Sequence, residues 1–168
     1  MYRTLTILAP LLIFPISANA SETRLGAGFG YGDCTGSDAE CSSQEFFRLS
    51  IAQKLSPQLS IDLVGDLKPF NSGERFNSYG INLKYAFSPL PNSAYISVGP
   101  HYYERREFTS GSFGSQSRSG VGLSTALGWQ NSPESRLGYG AEVWYRTLDD
   151  FNAYGVSLFV TYGFNIFN

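Results

Sequence analysis

From residue 23 onward the chain alternates, residue by residue, between large apolar side chains and small or polar ones. Leu25, Ala27, Phe29 and Tyr31 alternate with Gly26, Gly28, Gly30 and Gly32. Tyr79, Ile81, Leu83, Tyr85 and Phe87 alternate with Gly80, Asn82, Lys84 and Ala86, and Tyr154, Val156, Leu158, Val160, Tyr162 and Phe164 run against Gly155, Ser157, Thr161 and Gly163. A period of two is the signature of a strand with one apolar face, and no stretch shows the 3.6-residue period of an amphipathic helix. The pattern recurs in eight segments, predicted as strands over about 23–32, 45–55, 58–67, 76–87, 93–105, 118–129, 135–147 and 153–166.

The connections are also ordered. Ser56-Pro57, Ser88–Asn92 and Gln130–Glu134 are short and carry proline. Residues 33–44, 68–75 and 106–117 are longer, polar and rich in Ser and Gly; only 148–152 breaks this rhythm by being short.

Alternation alone does not say whether the apolar face is a core or a lipid contact. Three features place it outward. The small residues share the polar face, where a narrow eight-stranded lumen needs them and a solvated surface would only be weakened by them. Aromatics gather at both ends of the apolar face: Tyr31, Phe47, Tyr79, Tyr102, Tyr145 and Tyr154 beside the longer connections, Phe87, Trp129, Tyr162 and Phe164 beside the short turns or the chain end. Two such girdles suit two membrane interfaces. The strands also reach ten residues or more, enough for the ~9–11 that a tilted strand needs to cross hydrocarbon. An open sheet is excluded in lipid, because its edges would leave backbone groups unpaired. The expected fold is therefore all-β, an eight-stranded antiparallel up-and-down transmembrane barrel, with short turns at the periplasmic rim and long loops outside.

The first twenty residues carry an address. Arg3 precedes an apolar run from Leu5 to Ile16, then Ser17-Ala18-Asn19-Ala20, the layout of a secretory signal peptide. The domain plan is thus 1–20 signal peptide and 21–168 barrel. Export makes a disulfide between Cys34 and Cys41, the two cysteines of the chain, the expected state of the first outer loop.

With these residues in place, the chain resembles the small outer-membrane barrels of the OmpA-transmembrane and OmpX type. The resemblance covers the whole of 21–168 and rests on patterning. It implies a Gram-negative outer membrane, a side-chain-filled interior, and assembly by the barrel-insertion machinery. Val160-Thr161-Tyr162-Gly163-Phe164-Asn165-Ile166-Phe167 looks like that family's terminal assembly signal, though Asn168 follows the final aromatic.

Composition narrows function. A formal charge of −2 is not that of a nucleic-acid binder. One histidine and two cysteines leave no cluster for a metal site, so neither a metal nor another cofactor is expected. Some barrels of this size deacylate lipid A with a His-x-Ser pair. Here the histidine, His101, is followed by Tyr102-Tyr103, and parity points it into the lumen, away from a lipid substrate. A hydroxyl nucleophile needs a base within hydrogen-bond reach. No catalytic residue is assigned. The run Gly26-x-Gly28-x-Gly30-x-Gly32 lacks the spacing and the following helix of a nucleotide loop.

Charges on the polar face are more informative: Arg48, Lys54, Asp62, Asp66, Lys84, Arg105, Arg118, Arg136, Glu142 and Arg146. Arg48 and Asp66 each lie nine residues from Pro57, so a hairpin folded there sets them opposite. Asp62 and Lys84 stand at similar heights on adjacent strands. Unpaired charges in a narrow lumen are costly, so Arg48, Asp62, Asp66, Lys84, Glu142 and Arg146 are expected to form one network. Arg75, Arg105 and Arg106 are candidate contacts for the phosphates of lipopolysaccharide. The expected protein is a monomeric, non-enzymatic outer-membrane barrel that serves envelope integrity or surface interaction through its outer loops, with a ligand the sequence does not name. A lipid A-modifying enzyme and a narrow, porin-like small-solute channel are the alternatives.

Overall fold

The computed structural model describes residues 22–35, 44–68, 74–108, 115–131, 136–149 and 151–165. The leader segment 1–20, Cys41 and the terminal Phe167-Asn168 lie outside the described residues. Eight strands follow in chain order: β1 (Glu22–Thr35), β2 (Gln44–Lys54), β3 (Leu59–Leu67), β4 (Glu74–Ala86), β5 (Asn92–Phe108), β6 (Ser115–Asn131), β7 (Leu137–Thr147) and β8 (Asn152–Asn165). Each pairs antiparallel with its sequence neighbours, and β1 closes on β8 from Glu22↔Asn165 to Thr35↔Asn152. The closed all-β barrel leaves no sheet edge in its membrane band, as lipid requires.

Strand ends differ from expectation at the outer rim. β5 and β6 run together out to Phe108↔Ser115, three residues beyond the predicted ends at 105 and 118. Arg106, expected in the third long loop, is therefore on a strand, and Arg75, expected in the second, opens β4 opposite it. Asp33 and Cys34 belong to β1 rather than to the first loop. Serine-rich segments were read as loops on composition, yet a strand whose neighbour is already in place continues wherever backbone bonds remain to be made.

The outer face is apolar and exposed, as a lipid contact must be. Phe29 and Leu158 are 71% and 68% exposed, and Val121, Val143, Val156 and Val160 stand among them. Edge-to-face pairs mark both interfaces: Phe29 with Phe47 at the outer end, Tyr85 with Phe87 and Trp129 with Tyr139 at the inner end. In water such a surface would aggregate; in hydrocarbon it costs nothing.

The inner face explains its glycines by volume. Six rings among the described strand residues point inward, and each faces a glycine across the ladder: Phe46↔Gly30, Tyr95↔Gly128, His101↔Gly80, Tyr103↔Gly120, Trp144↔Gly155 and Phe159↔Gly140. A Cβ added at Gly30, Gly80 or Gly128 would fall on the ring opposite. An eight-stranded lumen has little space, so large and small residues must alternate around it.

The two faces of one strand should respond oppositely to charge. Val143 is outward on β7 and 53% exposed. Val143→Arg should destabilise the inserted barrel by roughly 2–4 kcal/mol if it lies near the bilayer midplane, measured by denaturant titration in lipid vesicles. Wild-type stability of that variant would mean that this face does not meet lipid.

Candidate functional site

Halfway down the lumen, charged and polar side chains from six strands converge. Arg48 on β2 stands opposite Asp66 on β3 and holds it with both ends of its fork, Nε to Oδ1 at 2.6 Å and Nη2 to Oδ2 at 3.0 Å. The Arg48 Nη1 group reaches across the barrel to Glu142 on β7 and donates to Ser157 Oγ on β8 at 3.0 Å. Asp66 Oδ2 also accepts from Arg146 Nη2. Glu142 receives two further bonds, from Tyr95 Oη on β5 at 2.7 Å and from Ser157 Oγ at 3.2 Å. Two guanidinium groups and two carboxylates thus neutralise one another in a nearly dry interior.

A second branch starts at Arg146. Its Nη1 donates to Ser78 Oγ at 3.3 Å, Ser78 lies 3.0 Å from His101 Nδ1, and His101 Nε2 lies 3.2 Å from Asn82 Oδ1. These partners fix the tautomer by direction. Asn82 Oδ1 accepts, so the ring proton sits on Nε2, and Nδ1 then accepts from the Ser78 hydroxyl, which itself accepts from Arg146. The array resembles a catalytic Ser-His-Asn arrangement, but Ser78 and His101 are each 1% exposed and inside the barrel. A lipid acyl chain on the outer face has no path to that hydroxyl.

Lys84 and Asp62 form a separate pair, Nζ to Oδ2 at 3.7 Å, closer to the inner end. Their strand positions are two residues out of step, since Asp62 faces Asn82 and Lys84 faces Ser60. At the inner mouth Glu22 takes Arg24 at 2.5 Å and Lys54 at 3.8 Å. Arg118 and Arg136 do not join the network. Both are exposed at opposite rims, and Arg136 donates instead to Tyr162 Oη at 3.3 Å. Arg75, Arg105 and Arg106 sit together on the paired outer ends of β4 and β5, where Arg75 faces Arg106. Cys34 lies near the outer end of β1.

Sequence reasoning missed what seals the outer half. Phe46, Tyr103, Ala126, Trp144, Leu148, Phe151 and Ala153 form one buried cluster above the ion network. Leu148 and Phe151 come from the short β7–β8 turn, closed by a Leu148 N–H to Phe151 carbonyl bond of 2.9 Å. Phe151 stands edge-on to Tyr103, and Trp144 edge-on to Phe46. The turn folds its apolar side chains back over the lumen like a stopper. Two signals pointed there: the shortness of 148–152, and doublets such as Phe46-Phe47, Tyr102-Tyr103 and Trp144-Tyr145 that put one aromatic on each face. Toward the inner end the lumen is instead a cavity of about 710 Å³ with a mixed polar and apolar lining, roofed by Arg48, Tyr95, Glu142 and Phe159.

Removing one member of a buried pair leaves the other charge unpaired and costs roughly 3–5 kcal/mol. Glu142→Ala strands the Nη1 group of Arg48 and the Tyr95 hydroxyl, so its unfolding midpoint in detergent should fall measurably. Glu142→Gln, which keeps acceptor and shape, should fall less. Equal midpoints for wild type and both variants would remove Glu142 from the network.

The profile of the outer membrane protein beta-barrel domain matches residues 6–164. No curated protein matches. Among solved structures, Neisserial surface protein A superposes with a TM-score of 0.71 at 14% identity, covering 84% of this chain and 97% of that one. The attachment invasion locus protein Ail of Yersinia pestis gives 0.64 at 17% identity, over 87% of this chain and 100% of that one. OprG of Pseudomonas aeruginosa gives 0.65 at 14%, over 87% and 97%. At these identities the superpositions speak for the fold alone, and the profile speaks for the family: the chain belongs to the outer membrane protein beta-barrel domain family and is an eight-stranded barrel of the outer membrane.

Proposed function

We propose that this protein is a non-enzymatic surface component of the outer membrane, a monomer whose barrel is an anchor and whose outer loops make its contacts. The observation that carries this reading is the position of His101, the one histidine of the chain, buried in the lumen with both ring nitrogens engaged. The imidazole is thus turned away from the lipid, and the groups proposed to meet a partner lie on the outer rim. Export by a leader at 1–20 and insertion by the barrel-assembly machinery belong to the same reading, as does a Gram-negative host.

Two outer features fit a surface role. The first loop is acidic, with Asp38 and Glu40 between the cysteines and Glu45 just after them. Arg75, Arg105 and Arg106 share one end of the β4–β5 ladder and are the proposed contacts for lipopolysaccharide phosphates. One of the similar structures, Ail, was solved with the heparin analogue sucrose octasulfate, so an anionic glycan is a suitable first probe of this arginine group.

The reading is tested on lipid A. Mass spectra from cells with and without the protein should be identical, whereas a shift by the mass of one acyl chain would make it a deacylase. Planar-bilayer recordings test the channel alternative, for which steady unit conductance is the required result.

A bridge between Cys34 and Cys41 would close a loop of seven-residue separation. Thiol labelling of the unreduced, exported protein should find neither cysteine free. Reduction should leave heat-modifiable migration on gels intact, because closing a short loop contributes only about 2–3 kcal/mol and the loop stands outside the lipid-held strands. Unfolding on reduction would show that the outer rim depends on the bridge.

A further inference from the structure

The inner-end cavity is larger than a packed lumen requires. Its volume of about 710 Å³ falls within the range of small-molecule sites, roughly 300–1,000 Å³. It opens between the short turns and ends blindly, with Arg48, Tyr95, Glu142 and Phe159 across its roof and the apolar cluster beyond them. Among the described residues, five arginines and lysines line it against three carboxylates. At the mouth Arg24 and Lys54 both pair with Glu22, so among the described residues the imbalance begins at the entrance. An excess of one sign in a concave, low-dielectric wall concentrates ions of the other sign.

Lys84 sits deep in this space with its side chain only 12% exposed. Asp62 is 3.7 Å from its ammonium, beyond a good hydrogen bond, and is itself held to the β3 wall by Ser60 Oγ at 2.8 Å. The ammonium also lies by the ring faces of Tyr95 at 3.8 Å and Phe159 at 5.6 Å and within electrostatic range of Glu142, whose oxygens are already taken by Arg48, Tyr95 and Ser157. An ammonium has three donors, and those contacts leave donors directed into the cavity. Ala52, Val64 and Ala86 supply apolar wall beside it.

We propose that the periplasmic half of the lumen is a dead-end binding site for a small organic anion with an apolar body, whose acidic group meets Lys84 and whose body lies against Phe159 and the aliphatic wall. This goes beyond the surface role and does not depend on it. Arg24 and Lys54 draw the anion in; the salt-bridged waist and the outer stopper prevent its passage.

The test uses the full-length barrel refolded in nanodiscs, with benzoate as probe, benzamide as its neutral isostere and inorganic phosphate as an anion without an apolar body. Benzoate should give saturable amide shifts at Ser60, Asn82 and Ser97, with none at the outer stopper. The same shifts should be weaker by at least about tenfold for benzamide and for phosphate, the ratio expected of one lost charge contact or one lost apolar contact at ~1.4 kcal/mol each. Lys84→Arg should keep binding. Lys84→Met combined with Asp62→Asn, which removes the pair together and leaves no stranded charge, should weaken benzoate by a similar factor. Should that double variant fail to fold, Lys54→Gln at the exposed mouth reads the same field and should weaken binding roughly twofold. Any of the following overturns the site: no saturation by about 10 mM benzoate, ten times the ~1 mM of a weak specific site; benzamide or phosphate binding as tightly as benzoate; or undiminished binding in the Lys84→Met/Asp62→Asn double variant or, where that does not fold, in Lys54→Gln. Passage of benzoate across proteoliposomes would overturn the dead end.

Discussion

The bidentate pair of Arg48 and Asp66 is the contact around which the interior is arranged. Both groups are almost wholly buried, and neither could be there alone. Taking an ion from water into a dry lumen costs several kcal/mol even after relaxation, so each added charge demands another. Asp66 draws in Arg146, Arg48 draws in Glu142, and the remaining polar valences call up Ser157, Ser78 and the Tyr95 hydroxyl. The result ties β2 and β3 to β7 and β8 across the lumen, which backbone ladders between neighbouring strands cannot do. A hydrocarbon-clad barrel cannot fix its cross-section through its lipid face, because apolar burial drives nothing between two apolar surroundings. Cross-lumen ion pairs and close ring-to-glycine contacts take over that task.

This division explains the two halves of the interior. Above the waist, Phe46, Trp144, Tyr103, Leu148 and Phe151 pack as a small water-excluding cluster. Below it, polar and apolar residues share the wall, the space is open and charged groups face the cavity. A barrel that conducted would need a continuous polar path. The apolar stopper interrupts one at the outer end and the ion network interrupts it at the middle, which is why the geometry favours an anchor over a pore. The same two barriers make the inner cavity blind, so a single feature bears on both the surface role and the proposed anion site.

The legibility of the structure in the sequence followed the range of the interactions. Period two survives as strands because each strand has one lipid face, and Pro57 set the β2–β3 register well enough to bring Arg48 opposite Asp66. The outward girdles were legible for the same local reason. Partners across the lumen were not. Glu142 had Arg48, Lys84, Arg118 and Arg146 as candidates, and choosing Arg48 requires the stagger of the strands around the barrel, a quantity set by closure rather than by any one segment. Arg118 shares the inward parity yet lies too far toward the outer rim to take part. Leu148 and Phe151 were hidden differently, since a five-residue connection reads as solvent-exposed until a lumen exists for it to fold over.

His101 shows how far residue identity stands from function in such a barrel. A histidine with serine and asparagine on its two nitrogens is a familiar reactive geometry, and on the outer face it would point to acyl transfer. Here the same atoms serve as a chain of donors running from Arg146 through Ser78 and His101 to Asn82. The chain satisfies polar groups that the charged waist has drawn inside. Gly80 lies under the imidazole ring, and a Cβ there would collide with it, so the ring packs flat against the barrel wall. Reactivity needs a group that can reach and exchange partners. The packing that makes this lumen stable removes that freedom, and leaves chemistry of recognition to the rims and to the one cavity where side chains still face water.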